Sequence, residues 1–527
     1  DPLHHTILLH GVTGSGKTEV YLHAIRACIE RGRQAIVLVP EISLTPQTVG
    51  RFSDRFGDRI AVLHSRLSVG ERFDEWRRIR LGLADIVIGA RSAVFAPVER
   101  LGLIIIDEEH ESSYQSEKSP RYSAIDVAAQ RVKESGGALV LGSATPQLLS
   151  YYRALSGRYT LCALPERVAG RPLPEVEIVN MRDELLLGNN SIFSDRLVEL
   201  LSTTLAKGQQ AMLFINRRGY STFVSCRSCG YVLKCDNCDI SMTYHKVEGR
   251  TRCHYCGATK PLPKECPNCH KPFLKQFGIG TEQVEESLHK LFPTVKSLRM
   301  DTDTMRTKDA YGRILSAFAA GQAQVLIGTQ MIAKGHDFPN VTLVGVVAAD
   351  TTLNLPDYRS PERTFQLLTQ VAGRAGRDEN PGRVVLQTYA PQHPIIRFAK
   401  EQNYPAFFQY EIAERKKMLY PPFSLFLRVV FCDRREEQVA DACIAYTKAL
   451  EANLRAMLGE EGKNDILLLV AAEAPIARIS GLVRYQLLIK LLRTKRLPAA
   501  IQTIYDFHSA HRDVCSEVNW ELNPQDM

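Results

Sequence analysis

The sequence predicts an α/β protein with two doubly wound, parallel-sheet lobes, the second interrupted by a cysteine-rich insert, followed by a smaller α+β domain. Three patterns predict it. Short apolar runs alternate with helix-period segments from Thr6 to about Ala154 and again from Ser194 to Tyr389, the alternation that builds parallel strands joined by helices. Between Cys226 and Cys269 that alternation stops, and eight of the chain's 13 cysteines fall into four C-x-x-C pairs. From Tyr420 onward the order becomes strand, helix, strand, strand, helix, strand, a split βαββαβ unit.

In the first lobe, the apolar run from Thr6 to His10 leads directly into Gly11-Val12-Thr13-Gly14-Ser15-Gly16-Lys17-Thr18, before a helical pattern from Glu19 to Glu30. This is a phosphate-binding loop in its strand–loop–helix context. Glycines let backbone N–H groups wrap the phosphates, Lys17 reaches the β and γ phosphates of ATP, and the Thr18 hydroxyl joins the shell of a Mg²⁺. A second buried strand, Leu101 to Ile106, delivers Asp107-Glu108-Glu109-His110 at its carboxyl end, where ligands bind in parallel α/β sheets. Asp107 suits the Mg²⁺ and Glu108 the base that activates water. A third strand, Ala138 to Gly142, runs into Ser143-Ala144-Thr145-Pro146.

The second lobe supplies cations. A helical pattern ends in Gln370-Val-Ala-Gly-Arg374-Ala-Gly-Arg377. Two guanidiniums there can bridge to a phosphate held by the other lobe, which makes hydrolysis depend on closure of the two.

The insert reads as metal chemistry. Its pairs are Cys226/Cys229, Cys235/Cys238, Cys253/Cys256 and Cys266/Cys269, and two residues between thiolates let one turn present both sulfurs to a tetrahedral Zn²⁺. Eight thiolates make two closed four-cysteine sites, hence two structural zincs. The other five cysteines (Cys28, Cys162, Cys432, Cys443, Cys515) are scattered singly in apolar surroundings, as reduced cytosolic thiols are. The insert leaves the second lobe near Tyr220 and rejoins it near Phe277, so its ends should lie close together. A nested pairing, outer with outer and inner with inner, would clamp those ends; two other pairings of the four pairs stay open.

At 527 residues the chain has room for three or four domains. No apolar run approaches the ~18 residues that span a bilayer, so no membrane partner is expected. A net charge of +8 points weakly to a polyanion. From Leu213 to Lys275 there are eleven Lys/Arg against four acids, a formal +7 that two zinc tetrathiolates at −2 each lower to +3. In the last domain Arg478, Arg484, Lys490, Arg493, Lys495 and Arg496 are candidates to face DNA, with a solvated basic edge as the alternative.

The phosphate loop, the DEEH box and Ser143–Pro146 resemble motifs I, II and III of superfamily 2 helicases of the DEAH-like kind. Leu38 to Pro46 resembles motif Ia, Ile88 to Ala93 motif Ib, Leu213 to Tyr220 motif IV, Ile327 to Asp337 motif V and Gln370 to Arg377 motif VI. The resemblance implies two RecA-like lobes, and roles for Asp337 in binding nucleotide and for His110, Gln370, Arg374 and Arg377 in catalysis. A double-zinc insert just after motif IV, together with Gly278 to Glu282 and Tyr420 to Phe423, resembles the PriA family of primosomal replication-restart helicases over essentially the whole chain. That implies an ATP-dependent 3′-to-5′ DNA helicase that recognises abandoned or branched forks and starts primosome assembly in the bacterial cytoplasm, at the nucleoid. It also implies single-stranded DNA, single-stranded DNA-binding protein, other primosome proteins and the replicative-helicase loading system as partners. The alternatives are a DEAH-type RNA helicase and a zinc-dependent assembly scaffold with a regulatory ATP site; intact Lys17, Asp107, Glu108, Arg374 and Arg377 argue against the scaffold.

Expected boundaries are 1–165 for the first lobe, 166–221 and 276–392 for the second, 222–275 for the insert, 393–419 for a helical connector without assignable chemistry, and 420–527 for a ferredoxin-like domain. The chain opens at Asp1 just before a strand, so the family's N-terminal DNA-binding region and an adenine-contacting segment are expected to be missing. After the DEEH box the family is rich in aromatics. Here Tyr114 and Tyr122 remain as candidates to stack on bases, while Ser119-Pro120 departs from the pattern.

Overall fold

The computed structural model describes residues 6–44, 46–65, 67–116, 120–170, 172–215, 223–226, 228–238, 240–245, 249–272, 274–276, 280–301, 304, 310–332, 338–376 and 382–524. Strands rich in Ile, Leu and Val, the central ones with both faces buried, form two parallel sheets, as continuous apolar runs do when helices cover both faces. The first sheet runs Ile60–Leu63, Ile86–Gly89, Gln34–Leu38, Leu101–Asp107, Ala138–Ser143, Thr6–Gly11, Thr160–Leu164, all parallel. The second runs Ser297–Met300, Val325–Gly328, Gln210–Phe214, Val341–Val346, Arg383–Thr388, Glu175–Asn180, also parallel. These are the two expected RecA-like lobes.

The insert's two ends do meet. Strand Val224–Cys226 pairs antiparallel with Leu274–Gln276, and a three-stranded sheet of Thr243–His245, Arg250–Arg252 and Thr259–Pro261 lies between them in sequence. Two helices, Pro394–Glu401 and Tyr404–Lys417, form the connector. The last domain is an antiparallel sheet in the order Ile466–Ile479, Leu482–Leu492, Ser424–Asp433, Glu517–Leu522, covered by helices Glu436–Leu458 and Leu497–Ala510. Counted along the domain that order is 2-3-1-4, the ferredoxin-like arrangement expected from the element sequence. Among the described residues no helix is long and apolar enough to cross a membrane.

The basic residues of this domain and the remaining thiols have distinct surroundings. Arg478 pairs with Glu436, Arg496 with Asp465 and Glu461, Arg484 and Arg493 donate to the carbonyls of Ile476 and Ser424, and Lys490 donates to Met418 O. Five of the six thus hold contacts within the chain, while Arg478, Arg493 and Lys495 stay exposed. Of the five other cysteines, Cys28, Cys432 and Cys443 are buried, whereas Cys162 is exposed and Cys515 half-buried.

Candidate functional site, an ATP cleft with two four-cysteine clusters

The phosphate loop is shaped by glycine. Gly14 and Gly16 take φ of +81° and +86°, a region closed to most L side chains, and the helix begins at Lys17, two residues earlier than its periodicity suggests. Lys17 Nζ lies over the loop and donates to Gly11 O at 2.8 Å. The Ser15 hydroxyl is buried without a partner, an orphan that a phosphate oxygen fits. Beside the loop, Val12, Pro165, Glu166, Arg167, Gly170 and Leu173 line a cavity of about 390 Å³, and Arg167 Nε donates to Thr13 O at 3.1 Å.

The acids sit where the strand end should place them. Tyr21 donates to Asp107 Oδ1 at 2.8 Å, and burial, with Glu108 next to it, pushes the Asp107 carboxyl up to about 6. Glu108 holds φ at +48°, an uncommon backbone state for a residue with a side chain and one found where surrounding structure imposes it. His110 Nδ1 lies 2.7 Å from Ser143 Oγ, which also accepts from Thr145 N at 2.9 Å, so the DEEH box and the Ser143–Pro146 turn form one hydrogen-bonded unit. Glu109 is fully buried, accepting from Gln147 N and Ser150 Oγ; burial lifts its carboxyl to about 7.

Across the cleft, helix Ser360–Ala372 carries Gln370 and ends at Gly373-Arg374. A Cβ placed on Gly373 would lie 2.9 Å from Thr13 Oγ1, so this turn abuts the phosphate loop. Burial lowers the Arg374 pKa, and the charge of Glu108 acts in the opposite direction, as opposite charges facing one cleft do. The structure thus brings Gly11 to Thr18, Asp107, Glu108, His110 and Arg374 together. Asp337, Arg377 and most of Leu213 to Tyr220 lie outside the described residues.

Several residues escaped the sequence reading. Tyr21 is a helix residue with nothing in its spacing to mark it. The connector does carry chemistry: Arg415 donates to Glu362 at 2.7 Å and Glu411 at 3.0 Å, Glu362 accepts from Leu148 N at 2.7 Å, and Tyr404 donates to Pro146 O at 2.9 Å. This buried chain ties the turn after Ser143 to the arginine helix. Tyr114 is a correction. It is 2 % exposed and donates to Asp107 O and Leu38 O, so it braces the acidic strand and cannot stack on a base. Tyr122 is half-buried, edge-on to Phe95 and under Arg91, which itself donates to Gln115 O at 2.6 Å.

The cysteines resolve into the nested arrangement. Cys226, Cys229, Cys266 and Cys269 form one cluster and Cys235, Cys238, Cys253 and Cys256 the other, with the Sγ atoms of each within 4.8 Å of one another. Pairs stand 3.7 Å (Cys226–Cys269), 3.5 Å (Cys229–Cys266) and 3.5 Å (Cys235–Cys256) apart. Four thiolates at ~2.3 Å from a tetrahedral zinc require sulfurs about 3.8 Å from one another, so both donor sets fit Zn²⁺.

Comparison with known proteins follows the same division. The DEAD/DEAH box helicase family matches residues 2–152, the PriA DNA helicase Cys-rich region domain residues 235–261, and the helicase conserved C-terminal domain residues 277–379. Replication restart protein PriA of Bacillus subtilis is 53% identical over 505 residues, 96% of this chain and 62% of that protein. That of Synechocystis is 50% identical over 92% of this chain and 59% of its own length, and that of Treponema pallidum 44% identical over 95% and 73%. The chain therefore spans about three fifths of the first two relatives.

Proposed function

The chain belongs to the PriA family of replication restart proteins, and on that premise we propose that it is an ATP-dependent DNA helicase, moving 3′ to 5′, that acts at forked or abandoned replication intermediates and opens primosome assembly there. What supports the motor reading is the shared cleft, in which Lys17, Asp107 and Glu108 of one lobe face Gly373 and Arg374 of the other across the contact at Thr13. Backbone N–H groups of Gly11 to Thr18 wrap the triphosphate, and Lys17 swings from Gly11 O to the β and γ phosphates. Thr18 and Asp107 would hold a Mg²⁺, which would neutralise phosphate charge, and Asp337 is assigned to the nucleotide by the family resemblance. Glu108 takes a proton from water as its oxygen attacks the γ phosphorus and the bond to the β–γ bridging oxygen breaks. Arg374 and Arg377, with Gln370, stabilise that charge only when the lobes are together. The His110–Ser143 contact and the chain through Glu362 and Arg415 relay the state of the cleft outward. The DNA partner, and by family the single-stranded DNA-binding protein, primosome proteins and helicase loader, follow from the same premise, as does a bacterial, nucleoid-associated cytoplasmic location.

ATPase assays at fixed salt, with forked DNA, plain single strands and RNA as stimulants, test it. Lys17→Ala and Glu108→Gln should each lower DNA-stimulated turnover by at least ~100-fold, the scale of losing a charge-stabilising or general-base group, while DNA binding persists. Unchanged turnover in either variant removes the motor; stimulation by RNA alone would favour the RNA helicase.

A further inference from the structure

The helix Val69–Arg80 carries an unpartnered face that the motor does not use. At 3.6 residues per turn, Arg72, Trp76, Val69, Arg80, Phe73 and Arg77 share an arc of about 140°. Val69 is 89% exposed, Phe73 63% and Trp76 39%, and the three arginines are exposed as well. The helix's acids point elsewhere or are engaged. Glu71 closes the capping box with Ser68, Glu75 accepts from Val62 N at 2.9 Å and Arg78 at 2.7 Å, and Asp74 falls outside the arc. Ile79, 1% exposed, lies about 20° beyond Arg72 and anchors that border of the face in the core. Two aromatics one turn apart, flanked by three arginines and no acid, are complementary to a polyanion that also offers flat apolar faces.

The position points the same way. Strand Ile60–Leu63 lies in the parallel sheet with Leu101–Asp107, so the loop after it and the start of the helix lie at the sheet edge that carries Asp107. In that loop the Ser65 hydroxyl donates to the carboxylate of Glu41, in the segment resembling motif Ia. The face therefore begins at the side of the lobe that handles ligands and runs back along the sheet for about 16 Å, room for two or three stacked nucleotides.

We propose that this face is a binding platform for single-stranded DNA, with Phe73 and Trp76 stacking on bases and Arg72, Arg77 and Arg80 on phosphates, an inference that rests on the reading of the chain as a DNA motor. The chain has 2 tryptophans, Trp76 and Trp520. Oligo-dT added to the full chain should quench a tryptophan signal that survives in Trp520→Phe and is absent from Trp76→Phe. Phe73→Ala with Trp76→Ala should weaken oligo-dT binding about tenfold or more. Arg72→Gln, Arg77→Gln and Arg80→Gln together should lower the slope of log affinity against log salt by about 2. A Trp76 signal unmoved at oligonucleotide concentrations that stimulate the parent's ATPase overturns the proposal while leaving the motor intact. Absence of any DNA stimulation in the parent overturns the motor alone, since quenching is read without turnover. Equal quenching by blunt duplex, or quenching only by an acidic apolar peptide, overturns the single-strand assignment.

Discussion

The two four-cysteine clusters have the same ligands at the same spacing and opposite surroundings. The outer one (Cys226, Cys229, Cys266, Cys269) sits on the neck of the insert and is attached to its own lobe. Arg182 donates to Cys229 O at 2.9 Å, and a Cβ on Gly230 would lie 2.7 Å from Tyr389 O. The inner one (Cys235, Cys238, Cys253, Cys256) is packed among Tyr255, Tyr358, Tyr420, Phe426 and Leu488, where insert, arginine helix and C-terminal sheet meet. There Tyr420 donates to Cys238 O at 2.8 Å, Gln486 to His254 O at 3.1 Å, Tyr358 N to the Tyr255 hydroxyl at 3.1 Å, and Arg252 pairs with Glu473. Lys490 lies 4.2 Å over the Tyr420 ring, a cation brought toward the −2 charge of a zinc tetrathiolate. One metal site closes a loop on its own lobe; the other joins three parts of the molecule. Identical coordination chemistry thus says nothing about mechanical role, which depends on what packs around the ligands.

The largest effect should come from breaking the inner site. Cys235→Ser with Cys238→Ser should release one zinc, a structural ion worth on the order of 10 kcal/mol, and strip amide-exchange protection from Ile466–Ile479 and Leu482–Leu492. Cys226→Ser with Cys229→Ser should also release one zinc yet leave those strands protected. Equal loss of protection in both variants would erase the distinction between the clusters. A smaller effect is expected for Lys490→Met, which keeps the stem and removes the charge. Losing a partly desolvated cation–π contact of about 1–2 kcal/mol should let a chelator strip the inner zinc roughly tenfold faster and leave the outer one unchanged. Smallest is Tyr420→Phe. It deletes one buried hydrogen bond, about 1 kcal/mol, and should lower the unfolding midpoint of the C-terminal domain without altering zinc content.

Both lobes, the insert and the βαββαβ order were legible because each rests on local pattern: apolar strand runs, glycine spacing, C-x-x-C turns. The order of elements in the last domain was legible, but the length of Ile466–Ile479 was not, because its far end is held by pairing with Leu482–Leu492. Tyr114 shows the limit of such reading. An aromatic after an acidic box looks the same whether it faces DNA or turns inward to hydrogen-bond Asp107 O, and only its burial decides. Arg415 failed in the other direction: a basic residue in a helical connector gives no sign that two buried acids await it.

By itself the sequence marked the candidate chemistry, because phosphate wrapping, water activation and thiolate ligation each require particular residue types a fixed few positions apart. Tertiary structure alone decided the pairing of the four C-x-x-C turns, the abutment of Gly373 on Thr13, and the path from Pro146 through Glu362 to Arg415. Those are contacts between residues far apart in the chain. Their partners are chosen by how whole elements pack, and no local spacing encodes that choice.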